Sequence, residues 1–418
     1  MASSRPILAF LIAVLACSAW SPRVEAIGPV GDAVRNVLGR FGRDKSDWFD
    51  LVLLENDGLK EGAVCLDGSP SGYWFRKGNQ ENKWLIFIEG GGWCYDEREC
   101  LSRSRTFLGS SDAWPRDRPV DRPLFSADPK VNPTFYDWNI VNVGYCDGAS
   151  FSGNVTDPVV VDGKKIYFRG ARILDQVMRH VKEKQGLSGD VILSGCSAGG
   201  LTTILHADKV AAQLSDVTTS FRAMPFSGFF PITPNFQGDP WFRVRADNVY
   251  KMQRVEPSLN EACLADNADN AEQRCFEAEH AYRYIKTPIF LINSLYDAWT
   301  VQNIYNITSD TVPAKDVPKV VPFLNERSRL VFNLIRGAPN YNNVGNGDFL
   351  HSCMTHCGGC CTDEGWDKVS VKGETVRDAI GRWVEGGNGN NVRTDDACVY
   401  TNGPPYQCNP TCPPFPPI

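Results

Sequence analysis

The chain has 418 residues, 42% hydrophobic and 22% charged, with a formal net charge of −6. That content supports a sizeable core and excludes a disordered chain. The acidic balance argues against nucleic acid as a partner, and the length suits one large α/β domain.

The N-terminus reads as a secretory signal. Arg5 supplies a positive start, residues 7–16 are a short apolar core, and Ala19 and Ala26 offer small residues for cleavage. The run is too short to span a bilayer comfortably, and no other stretch is long and apolar enough. The expected division is a signal at 1–26 and a single domain at 27–418, with no membrane attachment after the signal is removed. Cys17 falls in the signal, so fourteen of the 15 cysteines follow it. An oxidising compartment is the natural home for so many. Asn154-Val155-Thr156 and Asn306-Ile307-Thr308 are glycosylation sequons, whereas Pro133 blocks Asn132-Pro133-Thr134.

Residues 27–50 carry no motif. Trp84-Leu85-Ile86-Phe87-Ile88 is a continuous apolar run, read as a buried strand, and it leads into Glu89-Gly90-Gly91-Gly92-Trp93. Segment 102–135, rich in Arg, Asp and Pro, reads as a loop insertion. Residues 140–145 form a second strand. Ile173, Val177 and Val181 recur at helical spacing, with Gly186 as the stop. Val191-Ile192-Leu193 begins a third strand, the acidic stretch 256–275 reads as a loop, and 288–292 is another buried strand. Residues 376–384 form a late helix with Ile380, Trp383 and Val384 on one face. The tail, 398–418, is Cys- and Pro-rich and without period. Strands alternating with helices imply a mostly parallel sheet covered on both faces.

The third strand runs into Gly195-Cys196-Ser197-Ala198-Gly199, a Gly-x-Ser-x-Gly in a strand, turn and helix frame. Such a turn raises the serine hydroxyl on a strained elbow above the sheet. A Cβ at either flanking glycine would collide with the tight backbone. Ser197 is therefore the candidate nucleophile, against an ordinary Gly-rich turn with a solvated serine. A serine needs a base, and the base needs an orienting acid. In this fold class the order is Ser, acid, His. Of the five histidines, His180, His206 and His280 are badly placed. His351 and His356 lie beyond the elbow in a loop-like setting and both remain candidates. Asp297 follows the strand at 288–292, where such folds place catalytic groups, and its bland reading is a helix cap. The N–H of Ala198, with a second set from the glycine loop at 90–92, suits an oxyanion site.

Several motifs together resemble the plant pectin acetylesterases: Ile88-Glu89-Gly90-Gly91-Gly92-Trp93-Cys94, Tyr145-Cys146-Asp147-Gly148-Ala149-Ser150-Phe151, Tyr167-Phe168-Arg169-Gly170, Gly195-Cys196-Ser197-Ala198-Gly199-Gly200-Leu201, Asn293-x-x-Tyr296-Asp297 and Ser352-Cys353-x-x-His356-Cys357. The Notum carboxylesterases are more distant relatives. The resemblance runs from about residue 48 to Cys412, and it is poor over 230–275 and unusual over 357–365. It implies an α/β-hydrolase-like fold with disulfide-rich loops, Ser197 as nucleophile, Asp297 as acid and His356 rather than His351 as base. It favours the N–H groups of Gly91, Gly92 and Ala198 as oxyanion donors, and it pairs Cys65 with Cys146. It implies a secreted cell-wall esterase, monomeric and without cofactor, that removes O-acetyl groups from acetylated pectic polysaccharide. The alternatives are a Notum-like esterase of long acyl chains and an inactive polysaccharide-binding protein on the same scaffold.

Cys94 with Cys100, and Cys263 with Cys275, suit local disulfides, while Cys196 reads as a small buried thiol. A zinc cluster from His351, Cys353, His356, Cys357, Cys360 and Cys361 competes with disulfides and is the weaker reading in a secreted chain, so no metal is expected. Arg98, Arg103, Arg105, Arg116, Arg118 and Arg122 suit polygalacturonate carboxylates. The reading preferred here is a solvated face mixed with Asp112, Asp117 and Asp121.

Overall fold

The apolar runs become the inner strands of one large sheet. The computed structural model describes residues 47–267, 275–386, 391–396 and 408–414. The expected signal, and most of the tail, lie outside the described residues. The strands are β1 (Trp48–Leu53), β2 (Gly72–Arg76), β3 (Gln80–Ile88), β4 (Asp117–Pro119), β5 (Trp138–Val143), β6 (Val159–Val161), β7 (Lys164–Ile166), β8 (Gly189–Cys196), β9 (Thr218–Phe226), β10 (Phe290–Ser294), β11 (Gly347–His351), β12 (Ser370–Val371), β13 (Glu374–Thr375) and β14 (Val392–Thr394). Ten of these form one sheet in the order β14-β11-β10-β9-β8-β3-β5-β2-β1-β4, and β6-β7 and β12-β13 are small ribbons. From β14 to β5 the sheet is parallel. Strands β2, β1 and β4 join antiparallel.

Trp84–Ile88 of β3 and every residue of β5 are buried, as parallel strands covered on both faces must be. Each large side chain so buried contributes about 1.5–3 kcal/mol. The flanking helices include α1 (Glu97–Arg103), α2 (Gly170–His180), α3 (Ala198–Gln213), α4 (Trp241–Gln253), α5 (Ala298–Asn303), α6 (Val317–Arg336) and α7 (Val376–Val384). Ile173 and Val177 face inward on α2, which runs through one π-helical turn to Gly186 at φ +77°. On α7, Ile380 and Trp383 are buried, and Thr375 accepts the Asp378 N–H at the start. The architecture is α/β-hydrolase-like, with the sheet at its centre.

Three expectations need correction. Segment 102–135 is not all loop, because Asp117–Pro119 adds an edge strand to β1. Segment 256–275 contains a short helix, Glu261–Asp266, capped by the Asn260 side chain. Polar and proline-rich composition hid both. Cys196 is not a lone thiol, because it is bridged to Cys357. The chain after β11 folds back across the end of β8, a contact between residues 161 apart. The bridges Cys65–Cys146, Cys94–Cys100 and Cys263–Cys275 form as expected, and Cys353–Cys412 ties down the tail. With Cys353 and Cys357 in bridges, the six-residue zinc set loses two of its ligands.

Candidate active site

Strand β8 ends at Cys196, α3 begins at Ala198, and Ser197 makes the turn between them at φ +61° and ψ −126°. That is strained backbone for a residue with a side chain. The Ser197 N–H donates to the Phe226 carbonyl at 3.0 Å and pins the turn to β9. Gly199 is required here, since an added Cβ would strike the Ile88 and Glu89 carbonyls at the end of β3. A Cβ on Gly90 would sit 2.8 Å from Ser197 Cβ. The glycine loop after β3 therefore lies directly against the elbow.

Asp297 follows β10 and uses its two oxygens differently. Oδ1 accepts the Thr300 N–H at 2.9 Å, capping α5, while Oδ2 lies 2.7 Å from His356 Nδ1. The cap and the acid are one residue. Their side chains are only 6% and 8% exposed, so the bond is shielded from water and polarised more than a surface one. His356 Nε2 is buried and has no hydrogen-bond partner among the described residues. The Cys196–Cys357 bridge joins the residue before Ser197 to the residue after His356, with Cα atoms 5.9 Å apart. It fastens the elbow to the histidine loop.

His351 sits at the end of β11, fully buried, and burial pushes its imidazole down to about 4. It is a neutral core histidine. His206, pushed down to about 3 by burial, lies 2.9 Å from Ser152 Oγ through Nε2. His180 lies 2.9 Å from the Tyr73 hydroxyl. The structure thus brings Asp297 to His356 and sets the other candidates apart.

Three side chains that sequence reasoning passed over hold the glycine loop. Arg103 Nη2 donates to the Gly91 carbonyl at 2.6 Å. The Tyr145 hydroxyl donates to the Gly92 carbonyl at 2.7 Å and accepts the Ser150 N–H at 3.0 Å. Ser150 Oγ donates to the Ala198 carbonyl at 2.8 Å and accepts from the Trp93 indole at 2.8 Å. In a trans peptide the N–H points opposite to the C=O. With the Gly91 and Gly92 carbonyls drawn back by Arg103 and Tyr145, the N–H groups of Gly92 and Trp93 are turned the other way. Gly92, at φ +65°, has open space where its Cβ would be. The signal for these residues was present: Tyr145 and Ser150 belong to the motif directly after β5, and Arg103 was one of the basic-loop arginines.

The rest of that basic loop is largely spoken for. Arg118 pairs with Glu89 at 2.5 Å and with Asp121 at 2.7 Å, and Arg122 pairs with Asp121 at 3.0 Å. Burial favours the neutral acid at Asp121, but Arg122 and Arg118 overcome it and hold the carboxyl below its usual range. Arg98 approaches Asp162 at 4.0 Å, while Arg105 and Arg116 are exposed.

Beside the Asp297–His356 pair lies an aromatic cluster. Trp93 meets Phe230 at 5.0 Å, Trp299 at 5.5 Å and Phe242 at 5.8 Å, centre to centre, and Phe230 and Trp299 each lie 6.3 Å from the His356 ring. Trp93, Leu201, Phe230, Phe242 and Phe276 line a cavity of about 20 Å³. That is room for a group the size of one water. Phe230 and Phe242 come from the divergent stretch 230–275, which offered no motif, and Phe276 follows directly after it.

Known proteins similar to this chain align along most of its length. "Pectin acetylesterase 5" of Arabidopsis thaliana is 32% identical over 87% of this chain and 85% of its own. "Pectin acetylesterase 7" of the same plant is 31% identical over 89% and 98%. The human "Palmitoleoyl-protein carboxylesterase NOTUM" is 27% identical over 85% and 72%. The family model described as Pectinacetylesterase matches residues 43–413. A match over that span, with relatives aligned along nearly their whole length, shows that the chain belongs to the pectinacetylesterase family.

Proposed function

We propose that this protein is a secreted serine carboxylesterase that removes O-acetyl groups from pectic polysaccharide in the cell wall. The observation that carries the reading is the 2.7 Å bond from His356 Nδ1 to Asp297 Oδ2, in a loop bridged to the elbow that bears Ser197. Ser197 Oγ attacks the acetyl carbonyl and gives its proton to His356 Nε2. Asp297 holds the imidazole in the tautomer with Nε2 free and stabilises the imidazolium that forms. The N–H groups of Gly91, Gly92 and Ala198, with that of Trp93, bind the oxyanion, and Arg103 holds the Gly91 carbonyl. Collapse of the tetrahedral species breaks the ester C–O bond. His356 returns the proton to the departing sugar oxygen, leaving an acetyl-Ser197. Water then attacks with His356 again as base, the bond from Ser197 Oγ to the acyl carbon breaks, His356 returns its proton to Oγ, and acetic acid leaves and ionises to acetate.

The proposed acyl size draws on the aromatic cluster. Phe230, 6.3 Å from the His356 ring, lines a cavity of about 20 Å³, and so small a space there favours an acetyl group over a Notum-like lipid. Each added methylene should cost about 1–3 kcal/mol of discrimination. The five bridges among the described residues support an oxidising compartment. Among the described residues no helix is long and apolar enough to cross a membrane. Asn154 and Asn306 are half-buried and are proposed glycosylation sites. A single domain acting as a monomer completes the reading.

Acetylated homogalacturonan is the test substrate. The wild type should release acetate without shortening the polymer, and Ser197→Ala should lose turnover by several orders of magnitude. Turnover near wild type in folded Ser197→Ala removes the proposed nucleophile and the mechanism with it.

A further inference from the structure

Of the arginines in the basic loop, Arg118 and Arg122 pair with nearby acids, Arg103 holds the Gly91 carbonyl, and Arg105 and Arg116 are exposed. A different arginine stacks on Tyr95, which lines the aromatic cavity. Arg245, on α4, places its guanidinium carbon 3.9 Å from the centre of the Trp241 ring and 4.4 Å from that of Tyr95. Two aromatic rings hold a planar cation in a fixed orientation; the guanidinium also hydrogen-bonds the Tyr95 side chain, and its remaining N–H groups can take an anion. Its neighbour Arg243 is paired with the buried Glu277. Arg245 forms no salt bridge among the described residues. Glu99, which also reaches Tyr95, accepts that residue's backbone N–H at 3.0 Å.

The ring beside it is equally unusual. Trp241 is 39% exposed, yet its indole N–H donates to the Asn303 carbonyl at 2.7 Å. The bond fixes an exposed apolar face that water does not favour. This patch is joined to the reaction centre by the chain itself. Tyr95 lies two residues after Trp93 and lines the cavity. Phe242, next to Trp241, lies 6.1 Å from Trp299, which lies 6.3 Å from His356.

From these positions we propose that Arg245 and Trp241 form a subsite for a uronic acid residue next to the acylated sugar. The guanidinium takes the uronate carboxylate through paired N–H donors, and the indole takes the apolar C–H face of the sugar ring. A uronate is the sugar that carries both features. A neutral acetylated polysaccharide would meet the ring but leave the cation unsatisfied. The subsite would select acidic polymers over neutral ones and would leave the chemistry at Ser197 untouched. The inference rests on the esterase reading above and adds the recognition of substrate charge.

The experiment compares wild type, Arg245→Gln, Arg245→Lys and Trp241→Ala on p-nitrophenyl acetate and on acetylated homogalacturonan in its free-acid form. The small ester reports the reaction centre alone, and all three variants should stay within about twofold on it. On the polymer, Arg245→Gln should raise KM roughly 10- to 100-fold, the size of a lost charged hydrogen bond, with kcat little changed. Trp241→Ala should raise KM as well, and Arg245→Lys should restore part of the loss. The wild-type KM for the polymer should climb with added salt, and that slope should flatten in Arg245→Gln. Methyl-esterified acetylated homogalacturonan and acetylated xylan, both neutral, should be poor substrates for the wild type and indifferent to Arg245→Gln. This arm needs no variant to fold. Affinity electrophoresis of the wild type and Arg245→Gln in gels containing unacetylated polygalacturonate reads the subsite without catalysis. Retarded wild type with inactive chemistry would sink the esterase reading and keep the subsite. An unchanged polymer KM in Arg245→Gln, or equal wild-type KM for free-acid and methyl-esterified polymer, overturns the subsite and leaves the esterase standing.

Discussion

Replacing Tyr145 by Phe deletes one oxygen and removes two bonds from the loop that faces Ser197. The hydroxyl donates to the Gly92 carbonyl at 2.7 Å and accepts the Ser150 N–H at 3.0 Å. Burial, reinforced by the Asp147 charge, holds this phenol well above its ordinary value, so it stays a neutral donor at every working pH. Without it the Gly92 carbonyl is free to rotate, and with it the N–H of Trp93 in the same peptide plane. Removing an oxyanion donor outright costs about 10²–10³ in kcat. Here the donor remains but is no longer aimed, so kcat should fall about 10- to 100-fold with KM for p-nitrophenyl acetate nearly unchanged. Two backbone groups left unpaired should also cost stability, at about 1–3 kcal/mol each. The assay is steady-state hydrolysis of p-nitrophenyl acetate beside a denaturant melt of each protein. A protein that lost stability but kept kcat within twofold would show that Tyr145 is scaffolding alone and would refute the proposed alignment of the loop.

Asp297→Asn keeps a carbonyl oxygen for the Thr300 N–H but offers His356 the wrong partner, so kcat should fall about 10⁴-fold at little cost in stability; measured kcat near wild type would remove Asp297 from the triad. Cys196→Ser with Cys357→Ser cuts the link between elbow and histidine loop. It should lower unfolding stability by about 2–5 kcal/mol and reduce ester turnover at temperatures where the fold is intact, both readable from melts and initial rates. Asp147 is buried beneath the same loop, and burial pushes its carboxyl up to about 7 against Arg103 and the N–H groups of Ala149 and Phe151. Its folded value lies above its unfolded one, so the folded state holds the extra proton between them. Stability should therefore be greatest at low pH and fall by up to about 1.4 kcal/mol per unit as pH rises to about 7. Guanidinium midpoints at successive pH values should show this slope in the wild type and lose it in Asp147→Asn.

The inner strands were legible because parallel strands buried on both faces have no polar option. Trp84–Ile88 therefore reads as an apolar run without further context, as does much of β5 and β10. The elbow was legible too, because Gly195 and Gly199 are demanded by local backbone crowding around Ser197. Asp297 was legible as a polar residue closing a buried strand. Strand β9 escaped notice because Arg222 and Pro225 interrupt its pattern. Yet Arg222 Nη1 donates to the carbonyls of Trp383 and Val384, and Pro225 pairs at the C-terminal end of β8. Helix α6 was hidden by Pro318 in its first turn and Pro322 inside it, residues that argue against a helix by propensity. Strand β11 was hidden by Asp348, whose carboxyl is matched by Tyr341 and Thr394. For β9 and β11, partners on other elements supplied what the local sequence lacked. The same holds at the site. The Cys196–Cys357 bridge and the bonds from Arg103 and Tyr145 to Gly91 and Gly92 join segments far apart in the chain. So does the aromatic wall from Phe230, Phe242 and Trp299. Sequence alone singled out the candidate residues, since strand burial and turn strain are local demands. Only the folded chain decided which of them meet and how the aromatic cavity beside them closes, because those depend on side chains meeting across loops.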